Sequence, residues 1–147
     1  MAIRIFVDSD ACPVKDEAIR VATRYKLDIL LVSNQGMRPI HSPNVKQIVV
    51  GAKFDAADDW IVEHAGAGDI VVTADIQLAA RCLAKGCHAL NSTGHVFTAQ
   101  NIGNALSMRE LSAHLREIGE SKGGNPSFTK KDRSEFLQGL DRLAQKQ

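Results

Sequence analysis

The sequence predicts an α/β fold: a mostly parallel central sheet flanked by helices, followed by a helical C-terminal extension. Short, continuously apolar, β-branched runs recur through the first part of the chain, as strands buried on both faces of a parallel sheet require. Amphipathic stretches of helical period separate these runs. Beyond residue 98 the strand-like runs stop and helical periodicity alone continues. A chain of 147 residues suits one domain with a substantial core. The expectation is therefore a single domain over 1–147, with an α/β core over 1–98 and a helical part over 99–147.

Taken in order, residues 3–7 (IRIFV), 29–33 (ILLVS), 47–50 (QIVV), 70–73 (IVVT) and 88–90 (HAL) have the composition of buried strands. Residues 14–26 place Val14, Ala18, Ile19, Val21 and Ala22 largely on one helical face. Residues 56–65 and 76–85 are the next two helices, the second stopped by Gly86. A helix over 102–118 is predicted from its apolar spacing, and 119–127 (GESKGGNPS) is a surface loop by composition. Thr129 opens a last helix, with Asp132 three residues on as a weaker form of a capping box. That helix should pack Phe136, Leu137, Leu140 and Leu143.

Composition narrows the function. A formal net charge of +1 gives no global attraction to nucleic acid or membranes, so phosphate binding would need a local patch or a metal. The first apolar stretch is too short for a signal peptide or a membrane span. Cys12, Cys82 and Cys87 form no CxxC pair; reduced thiols and a cytoplasmic location are the expectation. The five histidines have no metal-ligand spacing, which argues against zinc.

The acids at strand ends carry the chemistry. In Val7-Asp8-Ser9-Asp10 a hydrophobic strand runs straight into two carboxylates and then a turn and helix. Ligand sites of parallel α/β sheets lie outside the carboxyl ends of strands. Asp75 ends a second such strand, in Thr73-Ala74-Asp75, again directly before a helix. Acids gathered in one place repel one another and stay ionised most easily when a cation joins them. Short-chain oxygen ligands favour Mg²⁺ or Mn²⁺. Asp10 and Asp75 also suit helix caps. Asp58 and Asp59 open the helix after the third strand; Asp58 lies at the edge of its buried face, so the predicted metal ligands are Asp8, Asp10, Asp58 and Asp75, with Asp59 the alternative to Asp58. Lys15 is the candidate for electrostatic support of catalysis with Asp8, Asp10 and Asp75, and Asn34 and Arg81 are candidates for substrate binding.

The segments FVDSDACPVKDE, GAKFDAADDWI, GDIVVTADIQLAARCLAKG, NIGNALSMREL and FTKKDRSEFLQ resemble the YaiI/YqxD family along nearly the whole chain. More distantly, a first-strand aspartate followed by Thr-x-Asp-x-x-Leu-Ala resembles PIN-like nuclease domains. That resemblance implies a three-layer sandwich that binds Mg²⁺ or Mn²⁺ through strand-end acids and cuts RNA or DNA. Asp8 matches the first acid and Asp75 the Thr-x-Asp acid, while Asp58 or Asp59 stands near the helix acid. Gln77 departs from the pattern, since many such domains carry a further acid there. Asp8-x-Asp10 also resembles haloacid-dehalogenase-type phosphatases, which implies an aspartyl-phosphate route. The third expectation is a non-catalytic RNA-, DNA- or protein-binding module on the same scaffold.

Overall fold

Side chains along a strand alternate between the two faces of a sheet, and the alternation of β1 (Arg4–Asp8) assigns the layers. Ile5 and Val7 face one core with Phe6 facing another, all three fully buried. A computed structural model describes residues 3–9, 14–34, 39–51, 56–98, 100, 102 and 129–145. After β1 come α1 (Lys15–Arg24), β2 (Asp28–Ser33), β3 (Val45–Val49), α2 (Ala56–His64), β4 (Ile70–Val72), α3 (Ile76–Ala84), β5 (His88–Leu90), β6 (Val96–Phe97) and α4 (Lys130–Gln145). The predicted elements that fall within these residues are present with ends moved by one or two positions. The predicted helix over 102–118 and the loop over 119–127 lie outside the described residues, apart from Ile102.

The strands form one sheet in the order β3-β2-β1-β4-β5-β6. Every neighbouring pair is parallel except β5–β6. β6 was not predicted from the sequence; two residues carry too little pattern to mark a strand. Chain order therefore runs outward from β1 in both directions, and the reversal falls between β1 and β4. Among the described residues, α1 and α4 cover the face carrying Val7, Leu31 and Val72. The opposite face, with Phe6, Leu30 and Val71, packs on α2 and α3. This is a three-layer α/β arrangement.

The last helix belongs to the main core. Phe136 and Leu140 are fully buried in the cluster that holds Val14, Ala18 and Leu90. Thr129 and Asp132 form the reciprocal bonds predicted for its start: the Thr129 N–H donates to Asp132 Oδ2 and the Asp132 N–H to Thr129 Oγ1, both at 3.1 Å. Arg133 pairs with Glu17 near the start of α1, and Arg24 near its end pairs with Asp141. These two bridges fix α1 and α4 as parallel neighbours. The close docking of α4 on the turn before β6 needs glycine at both surfaces. Gly94 has φ +86°, and a Cβ there would lie 2.3 Å from the Glu135 carbonyl oxygen. A Cβ on Gly139 would meet the Gly94 carbonyl oxygen at 2.8 Å.

Candidate functional site at the carboxyl edge of the sheet

Parallel strands bring all their carboxyl ends to one edge, so β1 and β4 deliver their terminal residues side by side. Val7 pairs with Val72, and the next residues along, Asp8 and Thr73, meet through side chains. Thr73 Oγ1 donates to Asp8 Oδ2 at 3.2 Å, while the same oxygen accepts the Asp75 N–H at 3.0 Å. Thr73 is buried and thus links the Asp8 carboxylate to the Asp75 main chain from beneath. This place is where the strand order reverses, and helices leave β1 and β4 toward opposite faces. A crevice at such a switch point is the usual ligand site of open α/β sheets.

Asp75 also caps α3: its Oδ1 accepts the Gln77 and Leu78 N–H groups at 2.9 and 3.2 Å. The cap orients the carboxylate and spends one of its oxygens on the helix end. Asn34, the residue after β2, has an equivalent task across the rim. Its Oδ1 accepts the Ala57 N–H at 3.2 Å and so ties the end of β2 to the first turn of α2. That turn carries Asp58, half-buried, and Asp59, exposed and paired with Arg81 at 3.2 Å. The orientation matches the expectation that Asp58 faces inward more than Asp59. Arg81 stands on the outer surface in the last turn of α3, away from the end where that helix meets the rim. Lys15 begins α1, half-buried, at the carboxyl edge. Asp10, like Cys12, lies outside the described residues.

The structure thus brings Asp8 and Asp75 together through Thr73 and sets Asn34 and the start of α2 along the same edge. Among the described residues, no group of three or more His, Cys, Asp and Glu side chains is positioned to hold a metal ion, so Asp58 does not complete a three-acid cluster with the other two. Two carboxylates at adjoining strand ends nonetheless fit Mg²⁺ or Mn²⁺, because Mg²⁺ commonly takes one or two carboxylates and fills its remaining positions with water and phosphate oxygens. Thr73 is the functional candidate that sequence reasoning passed over. Its signal was a hydroxyl closing an otherwise apolar buried strand just ahead of an acid.

The opposite edge contains another buried polar cluster. Asp69 is 5% exposed and accepts the Arg4 and Gly66 N–H groups at 2.9 Å each, along with the Arg4 guanidinium at 3.1 Å. Nearby, Cys87 Sγ donates to the Gly66 carbonyl at 3.2 Å. Cys82 and Cys87 are buried free thiols. Interaction with Cys87, with burial, pushes the Cys82 thiol up, while interaction with Cys82 lowers Cys87.

The family described as "Uncharacterized BCR, YaiI/YqxD family" matches residues 6–146. The chain belongs to this family. Among its relatives, a UPF0178 protein of Parvibaculum lavamentivorans is 58% identical over 141 residues, covering 96% of this chain and 93% of the relative. UPF0178 proteins of Rhizobium etli and Agrobacterium fabrum are 56% and 54% identical, covering 97% of this chain and 92% and 94% of their own lengths. No solved structure matches the chain. The resemblance of the YaiI/YqxD segments noted in the sequence is therefore a family relationship spanning both the α/β part and α4. No helix among the described residues is long and apolar enough to cross a membrane.

Proposed function

We propose that this YaiI/YqxD-family chain is a Mg²⁺- or Mn²⁺-dependent hydrolase, a PIN-like nuclease that cleaves phosphodiester bonds of RNA or DNA. The observation that carries the reading is the Thr73 bridge: at the sheet's switch point a buried hydroxyl donates to the Asp8 carboxylate and accepts the Asp75 backbone N–H. Asp8 and Asp75 would hold the ion, with Asp10 as a further ligand on the sequence reading. When bound, such an ion lowers the pKa of water and neutralises charge on the phosphate. The chain's own residues position the rest. Thr73 fixes the Asp8 carboxylate through Oδ2, and the α3 cap fixes Asp75. Lys15 adds positive charge at the rim for phosphate oxygens.

The test is cleavage of short single-stranded RNA and DNA in Mn²⁺ by the wild type and by an Asp8→Asn, Asp75→Asn double variant. Asparagine retains the capping oxygen at position 75, so the variant keeps its α3 start. The wild type should be faster by about 100-fold or more, the scale on which a preorganised electrostatic group acts. Equal rates would defeat the catalytic reading. Retention of intact nucleic acid without turnover would instead select the non-catalytic binding module, which the capping role of Asp75 also accommodates.

A further inference from the structure

Beyond the β1–β4 crevice, the same edge carries a polar cleft of about 430 Å³ between the β5–β6 turn and α4. Its walls are prepared on both sides. On the sheet side, Asn91 Oδ1 accepts the N–H groups of Thr93 and His95 and the Thr93 hydroxyl, at 3.0, 2.9 and 2.8 Å. The turn is thereby held rigid by a single side chain. On the helix side, Glu135, Gln138 and Arg142 recur at the spacing of one helical face and line the cleft. Gly94 and Gly139 meet backbone to backbone at the junction, which brings the two walls together.

Two features indicate what would enter. Among the described residues, the side chains of Glu135, Gln138 and Arg142 have no hydrogen-bonding or ionic partner, although α4 is otherwise bridged to α1 by Arg133 and Asp141. The charges are also separated. Glu135 and Arg142 stand seven positions apart, about 10 Å along the axis at a rise of about 1.5 Å per residue. Gln138 lies between them, and His95 lines the same cleft from the turn. A ligand matching this arrangement has an anion at one end and hydrogen-bond donors at the other, with an amide-compatible edge between.

We propose that this cleft binds one nucleotide. Its phosphate would lie at Arg142 and His95, where a guanidinium gives the stronger, charge-assisted bonds to phosphate oxygens. Its base would lie at Glu135 and Gln138. Guanine suits the carboxylate best, because its imino and amino N–H groups are adjacent donors that a carboxylate accepts together. Strand β4 separates β5 from β1, so the turn stands on the order of 10 Å from Asp8 at an interstrand spacing of about 4.8 Å. That is within reach of a nucleotide neighbouring the bond to be cut. The inference extends the nuclease reading in this respect, while binding in the cleft itself requires no catalysis.

The experiment uses the full chain carrying Asp8→Asn, in chelator, followed by ¹⁵N–¹H shifts of the Gly94 and Gly139 amides. GMP, UMP, inorganic phosphate and a short single-stranded RNA are titrated separately. GMP should move both amides and bind more tightly than UMP or phosphate. Arg142→Ala should weaken GMP by about tenfold, while Arg142→Lys restores part of the loss. Glu135→Gln should bring GMP and UMP to similar affinity. Tighter binding of RNA than of GMP would identify the nucleotide as part of a strand; the reverse would identify a free nucleotide. Absence of shifts at Gly94 and Gly139 with every ligand, or an Arg142→Ala chain that binds GMP as the parent does, overturns the proposal. Because turnover is silent here, a chain that binds GMP yet cleaves nothing separates this cleft from the fate of the nuclease reading.

Discussion

Asp69 stands before β4 and Asp75 after it, so the two ends of one short strand hold the same residue type in different surroundings. At the amino edge, Asp69 is enclosed by two backbone N–H groups and a guanidinium. At the carboxyl edge, Asp75 caps a helix and is tied to Asp8 through the hydroxyl of Thr73. A buried acid with a cation and several donors is a structural fastening between β1, β4 and the turn before it. Acids at adjoining strand ends place negative charge where the fold offers ligands access. The two ends of β4 thus set a structural acid against a candidate ligand site, and the difference can be tested at each.

The largest contrast comes from substituting one acid at each edge. Asp69→Ala removes the acceptor for the Arg4 and Gly66 N–H groups and should cost about 2–3 kcal/mol. The ion-pair share is modest because the Arg4 side chain is 40% exposed. For a chain of this size that corresponds to a fall in Tm of about 5–10 °C, read by calorimetry or circular dichroism. Asp8→Asn keeps an acceptor for the Thr73 hydroxyl and should leave stability within about 1 kcal/mol. Equal losses at the two positions would erase the division between edges.

A smaller effect is expected at the bridge itself. Thr73→Val preserves volume but removes the donor to Asp8 and the acceptor for the Asp75 N–H, for a loss of about 1–2 kcal/mol. If the acids hold a metal, Mn²⁺ affinity measured by calorimetry should fall by about tenfold, as when a second-layer partner of a ligand is removed. Unchanged affinity in a well-folded Thr73→Val chain would separate the hydroxyl from the proposed metal site.

The smallest effect lies at the α1–α4 contact rather than at either end of β4. The Tyr25 hydroxyl donates to Asp141 Oδ1 at 2.9 Å, and that bond raises the phenol above its ordinary value of 10.0. A raised folded-state value means that the bond's contribution is complete below the unfolded pKa and is lost as pH climbs through the folded one. Tyr25 is the sole tyrosine, so tyrosinate absorbance reports it directly. The midpoint should lie above that of a free tyrosine and return toward it in Asp141→Asn.

Much of this arrangement was legible in the chain. Apolar strand runs gave away the parallel sheet, because strands buried on both faces cannot alternate apolar with polar residues. Asp8 and Asp75 stood out because each follows such a run directly. Asp58 and Asp59 were ordered correctly by a helical wheel, since burial on a short amphipathic helix follows its period. Thr73 was passed over because one hydroxyl at a strand end has no periodic signature; its role exists only once β1 and β4 are neighbours. Asn34 was expected to bind a ligand at this rim; that its side-chain oxygen also accepts the Ala57 N–H of a helix more than twenty residues downstream was not legible in the sequence. In the last helix Phe136, Leu140 and Leu143 are buried as predicted, whereas Leu137 is half-buried and the buried Gly139 and Ala144 were not predicted; its neighbour was not predictable.

By itself, the sequence determined which segments become strands and helices, which of their faces turn inward, and that acids terminate two buried strands. Those are local properties, set by side-chain period and by what each residue can bury. The tertiary structure alone decided the strand order, the reversal between β1 and β4, the Thr73 bridge and the cleft beneath Gly94. Each depends on contacts between residues distant along the chain, whose pairing is chosen by the packing of whole faces rather than by any one segment.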